Sequence, residues 1–308
     1  MSRIVTVAGA QVGPVEREAP RAEVLDRLIG LLTTAAARGA DVVVFPELTL
    51  TPFFPRWWLR DDELDEFYED EVPGPGTKPL FEEARRLGVG VVLGYAERDG
   101  THRYNTSILV DERGEVVTKY RKVHLPGHEE HEPWRPFQHL ERRYFEPGDG
   151  FRTDRAFGGV VGMAICNDRR WPETYRMLAL QGAELILIGY NTPSYYAPDP
   201  TQNHLATFHN NLVMAVGAYQ NGAWVVGVAK CGTEGGVHSF GDSQIIGPSG
   251  EVVARAITEG DEVIVAACDL DLCANYRDTL FDFDRYRRPE TYGLITSQRG
   301  VIPPPEAP

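Results

Sequence analysis

Apolar and polar residues alternate with a period of two over residues 4–11, which predicts a strand. Residues 21–38 carry the wider spacing of an amphipathic helix, stopped by Gly39. Val42–Phe45 is apolar at every position, the pattern of a short strand in a sheet covered on both faces. The acidic stretch 61–70 is helix-like, and a second helix spans about 77–87 behind the turn Pro73-Gly74-Pro75-Gly76, ending at Gly88. Strands follow over about 89–97, 104–110 and 116–120, the last two joined by a turn at Asp111–Gly114.

Residues 123–150 break the rhythm. They are rich in His, Pro, Glu and Arg and show little periodicity. So long an irregular segment inside a compact domain usually carries function. Beyond it the pattern predicts strand 160–166, helix 173–182, strand 184–189, helix 203–220 and strand 223–230. Three short strands lie within 243–268, with a turn at Pro248-Ser249-Gly250. The tail beyond about 285 is Arg- and Pro-rich and is expected to cross the surface or a neighbouring subunit.

Strands and helices alternate, hairpin-like pairs recur, and more than ten strands are too many for one comfortable open sheet. The pattern predicts an α/β fold, a four-layer α-β-β-α sandwich of two mixed sheets with the helices outside. No linker, repeat or low-complexity segment interrupts it, so residues 1–308 read as a single domain.

The formal net charge of −14 argues against nucleic acid or an anionic membrane as partner, since both need a basic surface. The chain enters its first strand without the long apolar stretch of a signal peptide, and no window reaches the length of a membrane span. Its four cysteines (166, 231, 268, 273) are irregularly spaced, which suits reduced thiols. A cytoplasmic location is expected.

Three segments place a reactive side chain directly after a strand. Phe45-Pro46-Glu47 puts a carboxyl at the mouth of a buried strand, where desolvation raises its pKa towards the range of a general base. Lys119-Tyr120-Arg121-Lys122-Val123-His124 offers a compact cation for an oxyanion. Cys166-Asn167-Asp168-Arg169-Arg170 ends the apolar run 160–165 in a polar turn, with Pro172 able to open a helix. Two arginines and a helix N-terminus nearby would favour thiolate over thiol.

In the order Glu, Lys, Cys these segments resemble the nitrilase superfamily of carbon–nitrogen hydrolases. Phe53-Phe54-Pro55-Arg56-Trp57, His124-Leu125-Pro126-Gly127-His128, Arg135–Glu141, Cys166–Glu173, Gly189–Pro193 and Tyr219–Trp224 are further similar to the N-carbamoyl-D-amino acid amidohydrolases, or D-carbamoylases, within it. The resemblance covers nearly the whole chain and implies the four-layer fold, no cofactor, and a homo-oligomer, dimer or tetramer. It implies Glu47 as general base and then acid, Lys122 as oxyanion donor, Cys166 as nucleophile and Glu141 as the carboxylate that pairs with the lysine. Glu146 competes for that last role.

The implied substrate is a small N-carbamoyl amino acid. Its carboxylate calls for the planar fork of an arginine, and Arg169, Arg170 or both lie near the nucleophile in sequence. One of the pair is expected to be structural, with Glu173 as a candidate salt-bridge partner. Asn167 is expected to lend its backbone N–H to the oxyanion. Asn191 and Thr192 follow strand 184–189 and so belong near the cleft, and His124 and His139 are further candidate donors there.

A zinc hydrolase is the first rival, because His124, His128 and His131 cluster. Their spacing misses the His-Glu-x-x-His pattern and Pro126-Gly127 spoils a helix, so no metal is expected. A papain-like protease would leave Glu47 and Lys122 idle. The nearer alternatives are a β-ureidopropionase or an N-carbamoylputrescine amidase, and from another class an inactive scaffold.

Overall fold

The computed structural model describes residues 2–306. Its first sheet holds β1 (Ile4–Gln11), β2 (Val42–Val44), β3 (Tyr68–Glu69), β4 (Gly90–Asp99), β5 (His102–Val110), β6 (Val116–Arg121) and β15 (Glu262–Asp269). The second sheet holds β7 (Thr153–Ala156), β8 (Gly159–Ile165), β9 (Leu185–Tyr190), β10 (Trp224–Ala229), β13 (Gln244–Ile246) and β14 (Val252–Arg255). A separate hairpin pairs β11 (Cys231–Glu234) with β12 (Val237–Phe240).

Both sheets are mixed in the same way. β2 lies parallel between β1 and β4, while β15, β5 and β6 extend that sheet antiparallel. β8, β9 and β10 are parallel, and β7, β13 and β14 flank them antiparallel. The sheets meet face to face through β1 and β10, β2 and β9, and β5 and β8. Valines 5, 7, 42, 44 and 92 of the first sheet share one core with Met163, Ile186, Ile188 and Val226 of the second. Helices Arg21–Ala37 and Lys78–Leu87 cover the first sheet, and Pro172–Leu180 and Ala206–Asn221 cover the second. The layers are therefore α-β-β-α, as the strand count predicts. Because three of the parallel strands, β2, β8 and β9, run into polar segments, their C-terminal ends gather Glu47, Cys166 and Asn191 along one rim.

Several expectations need correction. The stretch 61–70 is not one helix: a turn of helix, Asp61–Leu64, passes through a 3-10 turn into β3. Leu64, Phe67 and Tyr68 are drawn into a cluster with Phe53, Phe54, Tyr144 and Phe145, and that packing outweighs local helix preference. The predicted strand 223–230 stops at Ala229, and the hairpin β11–β12 follows it across the Gly235-Gly236 turn, where both glycines have positive φ. Of the three strands within 243–268, β15 leaves the second sheet to pair with β1 in the first. The segment 123–150 holds one helical turn, Glu141–Tyr144. The tail from 285 is almost wholly exposed as far as residue 306, and residues 307 and 308 lie outside the described residues. Among the described residues no helix is long and apolar enough to cross a membrane.

Two glycines make room for the Pro46-Glu47 turn between the sheets. A Cβ at Gly94 in β4 would sit 2.3 Å from the Pro46 carbonyl oxygen, and one at Gly189 in β9 would sit 2.8 Å from the Glu47 nitrogen. Backbone cannot yield as a flexible side chain can. Gly94→Ala is therefore expected to destabilise the protein by about 1–3 kcal/mol in urea unfolding. Gly30→Ala is the control: it lies in an exposed helical position where a Cβ meets nothing within 4 Å, and should be neutral or slightly stabilising.

Candidate active site

Strand β2 ends at Val44, and the turn after it turns the Glu47 side chain inward, where it is fully buried. β6 delivers Lys122 and the turn Glu141–Tyr144 delivers Glu141, both also fully buried. The Lys122 ammonium donates to Glu47 Oε1 at 2.7 Å and to Glu141 Oε2 at 2.5 Å. Asn105 Nδ2 on β5 donates to Glu47 Oε1 at 2.8 Å and lies 3.4 Å from Glu141 Oε2. The remaining Glu47 oxygen accepts the Asn191 backbone N–H at 3.0 Å, and His139 Nε2 lies 3.0 Å from Glu141 Oε1. Glu146 is elsewhere, paired with the exposed His102. Of the two candidates for the lysine's partner, it is Glu141 that meets Lys122.

Cys166 sits where β8 turns into the 3-10 segment Cys166–Arg170, with φ at 46°. That left-handed conformation costs energy for a residue with a Cβ and persists because neighbours hold it. Asp168 does much of the holding: Oδ2 accepts the Ile165 N–H at 3.0 Å and the Tyr120 hydroxyl at 2.7 Å, and Oδ1 accepts the His124 N–H at 2.9 Å. Arg169 Nη1 donates to the Cys166 carbonyl at 2.7 Å. The Cys166 thiol points to the Asn191 carbonyl at 3.6 Å, which brings Cys166 and Glu47 to the same residue.

The ionisation states follow from burial and charge. Lys122 stays charged: burial disfavours the ammonium, but Glu141 and Glu47 more than offset it. For Glu141, burial alone would raise the pKa, yet Lys122 and His139 together hold it below the usual carboxylate range. Glu47 ends up raised, because burial and the Glu141 charge exceed the help from Lys122 and Asn105. One ammonium cannot fully satisfy two carboxylates, and Glu47 is the one left ready to take a proton.

The thiol corrects a sequence expectation. Burial and the Glu47 charge push the Cys166 pKa up, and Lys122 and Arg169 only partly oppose this. The resting sulfur is a thiol, so a base must remove its proton.

Arg169 is likewise not free to grip a carboxylate. It is buried, donates to Asn210 Oδ1, the Cys166 carbonyl and Thr192 Oγ1, and lies 4.2 Å over the Tyr190 ring. Arg170 is exposed in the cavity wall and has no ion pair or side-chain hydrogen bond among the described residues; the expected bridge from the pair to Glu173 is absent there too. His124 turns away from the cavity, with Nδ1 on Asp168 and its ring stacked on Trp171 at 5.1 Å. It buttresses the Cys166 turn instead of reaching the cleft.

A cavity of about 580 Å³ opens onto Cys166. Asn167, Arg170, Asn191, Thr192 and His139 line it, with Phe137, Tyr195 and Tyr196 from two loops. Arg135, His128 and His209 add donors, and no Asp or Glu lines it among the described residues. A larger, more apolar cavity of about 690 Å³ lies between helices Pro172–Leu180 and Ala206–Asn221 and the tail; Arg169 and Arg170 line it too, but Cys166 does not. Among the described residues no group of three or more His, Cys, Asp or Glu is placed to hold a metal ion.

Sequence reasoning missed Asn105, Asp168, Tyr120 and Arg56. Asp168 stood in plain view beside the nucleophile. Asn105 left only a faint signal, three polar residues (Asn105-Thr106-Ser107) inside an otherwise strand-like run.

The sequence model of the family described as Carbon-nitrogen hydrolase matches residues 6–278. A protein named Nitrilase from Pyrococcus abyssi is 35% identical over 264 residues, covering 85% of this chain and 90% of that one. An N-carbamoylputrescine amidase from Solanum lycopersicum is 29% identical over 315 residues, 98% of each chain. The crystal structure of a carbon-nitrogen hydrolase from Helicobacter pylori superposes with a TM-score of 0.83 at 22% identity, over 96% of this chain and 99% of that one. Neither named relative is a D-carbamoylase, so the resemblance is supported at the level of the superfamily.

Iodoacetamide alkylation of Cys166 tests, without any substrate, whether Glu47 takes the thiol proton. Glu47→Gln is expected to slow it at neutral pH by at least about 10²-fold. In the wild type the rate should fall as pH drops through the raised Glu47 pKa, since only the carboxylate accepts the thiol proton. Lys122→Met removes the charge that opposes this shift, so the acid limb should move to higher pH; an unmoved limb would contradict the assignment.

Proposed function

Since the chain belongs to the carbon–nitrogen hydrolase (nitrilase) family and is by membership an amidase-type enzyme acting on C–N bonds, we propose that it hydrolyses N-carbamoyl-D-amino acids through a thioester on Cys166. A ureido carbonyl is a poor electrophile, and covalent catalysis divides its hydrolysis into two easier steps. Glu47 takes the proton of Cys166 as the sulfur attacks the carbonyl carbon. Lys122 and the Asn167 backbone N–H stabilise the oxyanion of the tetrahedral intermediate. Glu47 passes its proton to the departing nitrogen, then activates a water that hydrolyses the thioester. Water attack releases a carbamic acid, whose remaining C–N bond breaks as it loses carbon dioxide; one water is consumed overall, and the products are the amino acid, carbon dioxide and ammonia.

The observation that carries the substrate reading is the charge of the cavity. Arg170 presents an unpaired guanidinium in the same wall as Cys166, and no carboxylate lines that wall among the described residues. A planar fork suits a substrate carboxylate. An amine-ended substrate would instead need an acidic partner at the far end. The D configuration rests on the motif resemblance alone.

A second reading has support of its own: the tomato relative is named an N-carbamoylputrescine amidase and matches end to end. The two readings differ in the sign of charge they require. A β-ureidopropionase also needs a carboxylate clamp, one methylene further from the carbonyl. Against an inactive scaffold stands the assembled set of Glu47, Lys122, Glu141 and Cys166.

Ammonia release from matched N-carbamoyl D- and L-amino acids, N-carbamoyl-β-alanine and N-carbamoylputrescine separates these readings. The D-amino acid derivative is expected to be turned over fastest, and preference for carbamoylputrescine would overturn the proposal. Arg170→Ala is expected to raise KM for the carbamoyl amino acid by roughly 10- to 100-fold, the worth of a charge-assisted hydrogen bond. A neutral ureide should be little affected, and equal effects on both would refute the clamp.

A further inference from the structure

The Phe53-Phe54-Pro55-Arg56-Trp57 segment has no part in the chemistry above, yet it buries an arginine beside the site. Arg56 closes the 3-10 turn Phe54–Arg56. Its Nη2 donates to Asn191 Oδ1 at 2.8 Å and to Ser239 Oγ at 2.8 Å, and Ser239 Oγ donates to the same Asn191 oxygen at 2.9 Å. The guanidinium lies 3.8 Å from the buried Glu234 carboxylate. Glu234 in turn accepts from Lys230 Nζ at 2.5 Å and from the backbone N–H groups of Phe53 at 2.6 Å and Val15 at 2.9 Å. Arg56 is therefore anchored by a second buried ion cluster.

Asn191 is the residue this anchor holds. Through its main chain it touches both reacting groups, donating to Glu47 Oε2 at 3.0 Å and accepting from the Cys166 thiol at 3.6 Å. Its side-chain oxygen is fixed by two donors, and a guanidinium has no acceptor with which to allow the opposite orientation. The same turn also steadies the other side of the site, since the Arg56 and Pro55 carbonyls accept the N–H groups of Gln138 and Leu140, which flank His139.

We propose that Arg56 is a positioning residue: by gripping the Asn191 side chain it holds the Asn191 main chain against Glu47 and Cys166 and so sets the geometry of proton transfer between them. This rests on the base–nucleophile reading above. A lysine at 56 would keep the charge but lose the fork that reaches Asn191, Ser239 and Glu234 at once.

The test is the rate of Cys166 alkylation by iodoacetamide across pH, with the background of the other cysteines taken from Cys166→Ser and folding checked by thermal melting. Arg56→Lys is expected to slow alkylation at neutral pH by at least about tenfold, since sub-ångström misplacement of reacting groups costs this much or more. Ser239→Ala, which leaves the ion cluster intact, should slow it in the same direction and carries the test if Arg56→Lys fails to fold. In an Asn191→Ala background, Arg56→Lys should bring no further loss. The proposal is overturned if folded Arg56→Lys or Ser239→Ala alkylates at the wild-type rate, or if the Arg56→Lys loss multiplies unchanged onto Asn191→Ala. Because no carbamoyl substrate is used, normal alkylation without turnover of carbamoyl amino acids would overturn the substrate reading and leave this one standing.

Discussion

One ammonium shared between two carboxylates, all three fully buried, is the constraint to which the rest of this structure answers. Each ion taken out of water carries a penalty of several kcal/mol, and mutual attraction repays it only where geometry is good and the remaining lone pairs are bonded. Here Asn105, the Asn191 N–H and His139 supply those bonds. Two carboxylates and one ammonium leave one net negative charge. A proton moving from Cys166 to Glu47 neutralises that excess while creating a thiolate beside Lys122 and Arg169. Such a transfer would relieve the excess charge, which is what the proposed chemistry requires.

The two-sheet sandwich makes such a cluster possible because it brings strand ends from both sheets to one rim. Glu47, Lys122 and Asn105 come from the first sheet, and Cys166 and Asn191 from the second. Gly94 and Gly189 remove the Cβ atoms that would block the Glu47 turn from either side. Packing of the sheets against each other thus decides the distance between Glu47 and Cys166. The strained Cys166 backbone is the local counterpart, held by Asp168 and Arg169 at the cost of leaving Arg169 no free donor pair for a ligand.

Arginine shows most clearly how environment divides identical side chains. Arg169 and Arg170 are neighbours in sequence and look equivalent there. In the fold one is stacked on Tyr190 and donates from all three of its nitrogens, while the other opens into the cavity without a partner among the described residues. Arg56, unremarked as a chemical group in the sequence, is bonded to Asn191, the residue that touches both Glu47 and Cys166. Polarity alone could not rank the three, because what separates them is which acceptors lie within reach.

Apart from β3, β7 and the hairpin β11–β12, the sequence by itself determined the order of the strands and main helices, the two-sheet architecture and the placement of Glu47, Lys122 and Cys166 just after strands. Those features depend on local periodicity and on short segments that read the same in any context. Only the tertiary structure decided that Glu141 and not Glu146 meets Lys122, that His124 supports the Cys166 turn, that β15 crosses to the first sheet, and that the resting Cys166 is a thiol. Each of these turns on burial or on contacts between residues far apart in the chain, such as Glu47 and Asn191, and desolvation and charge pairing act through space.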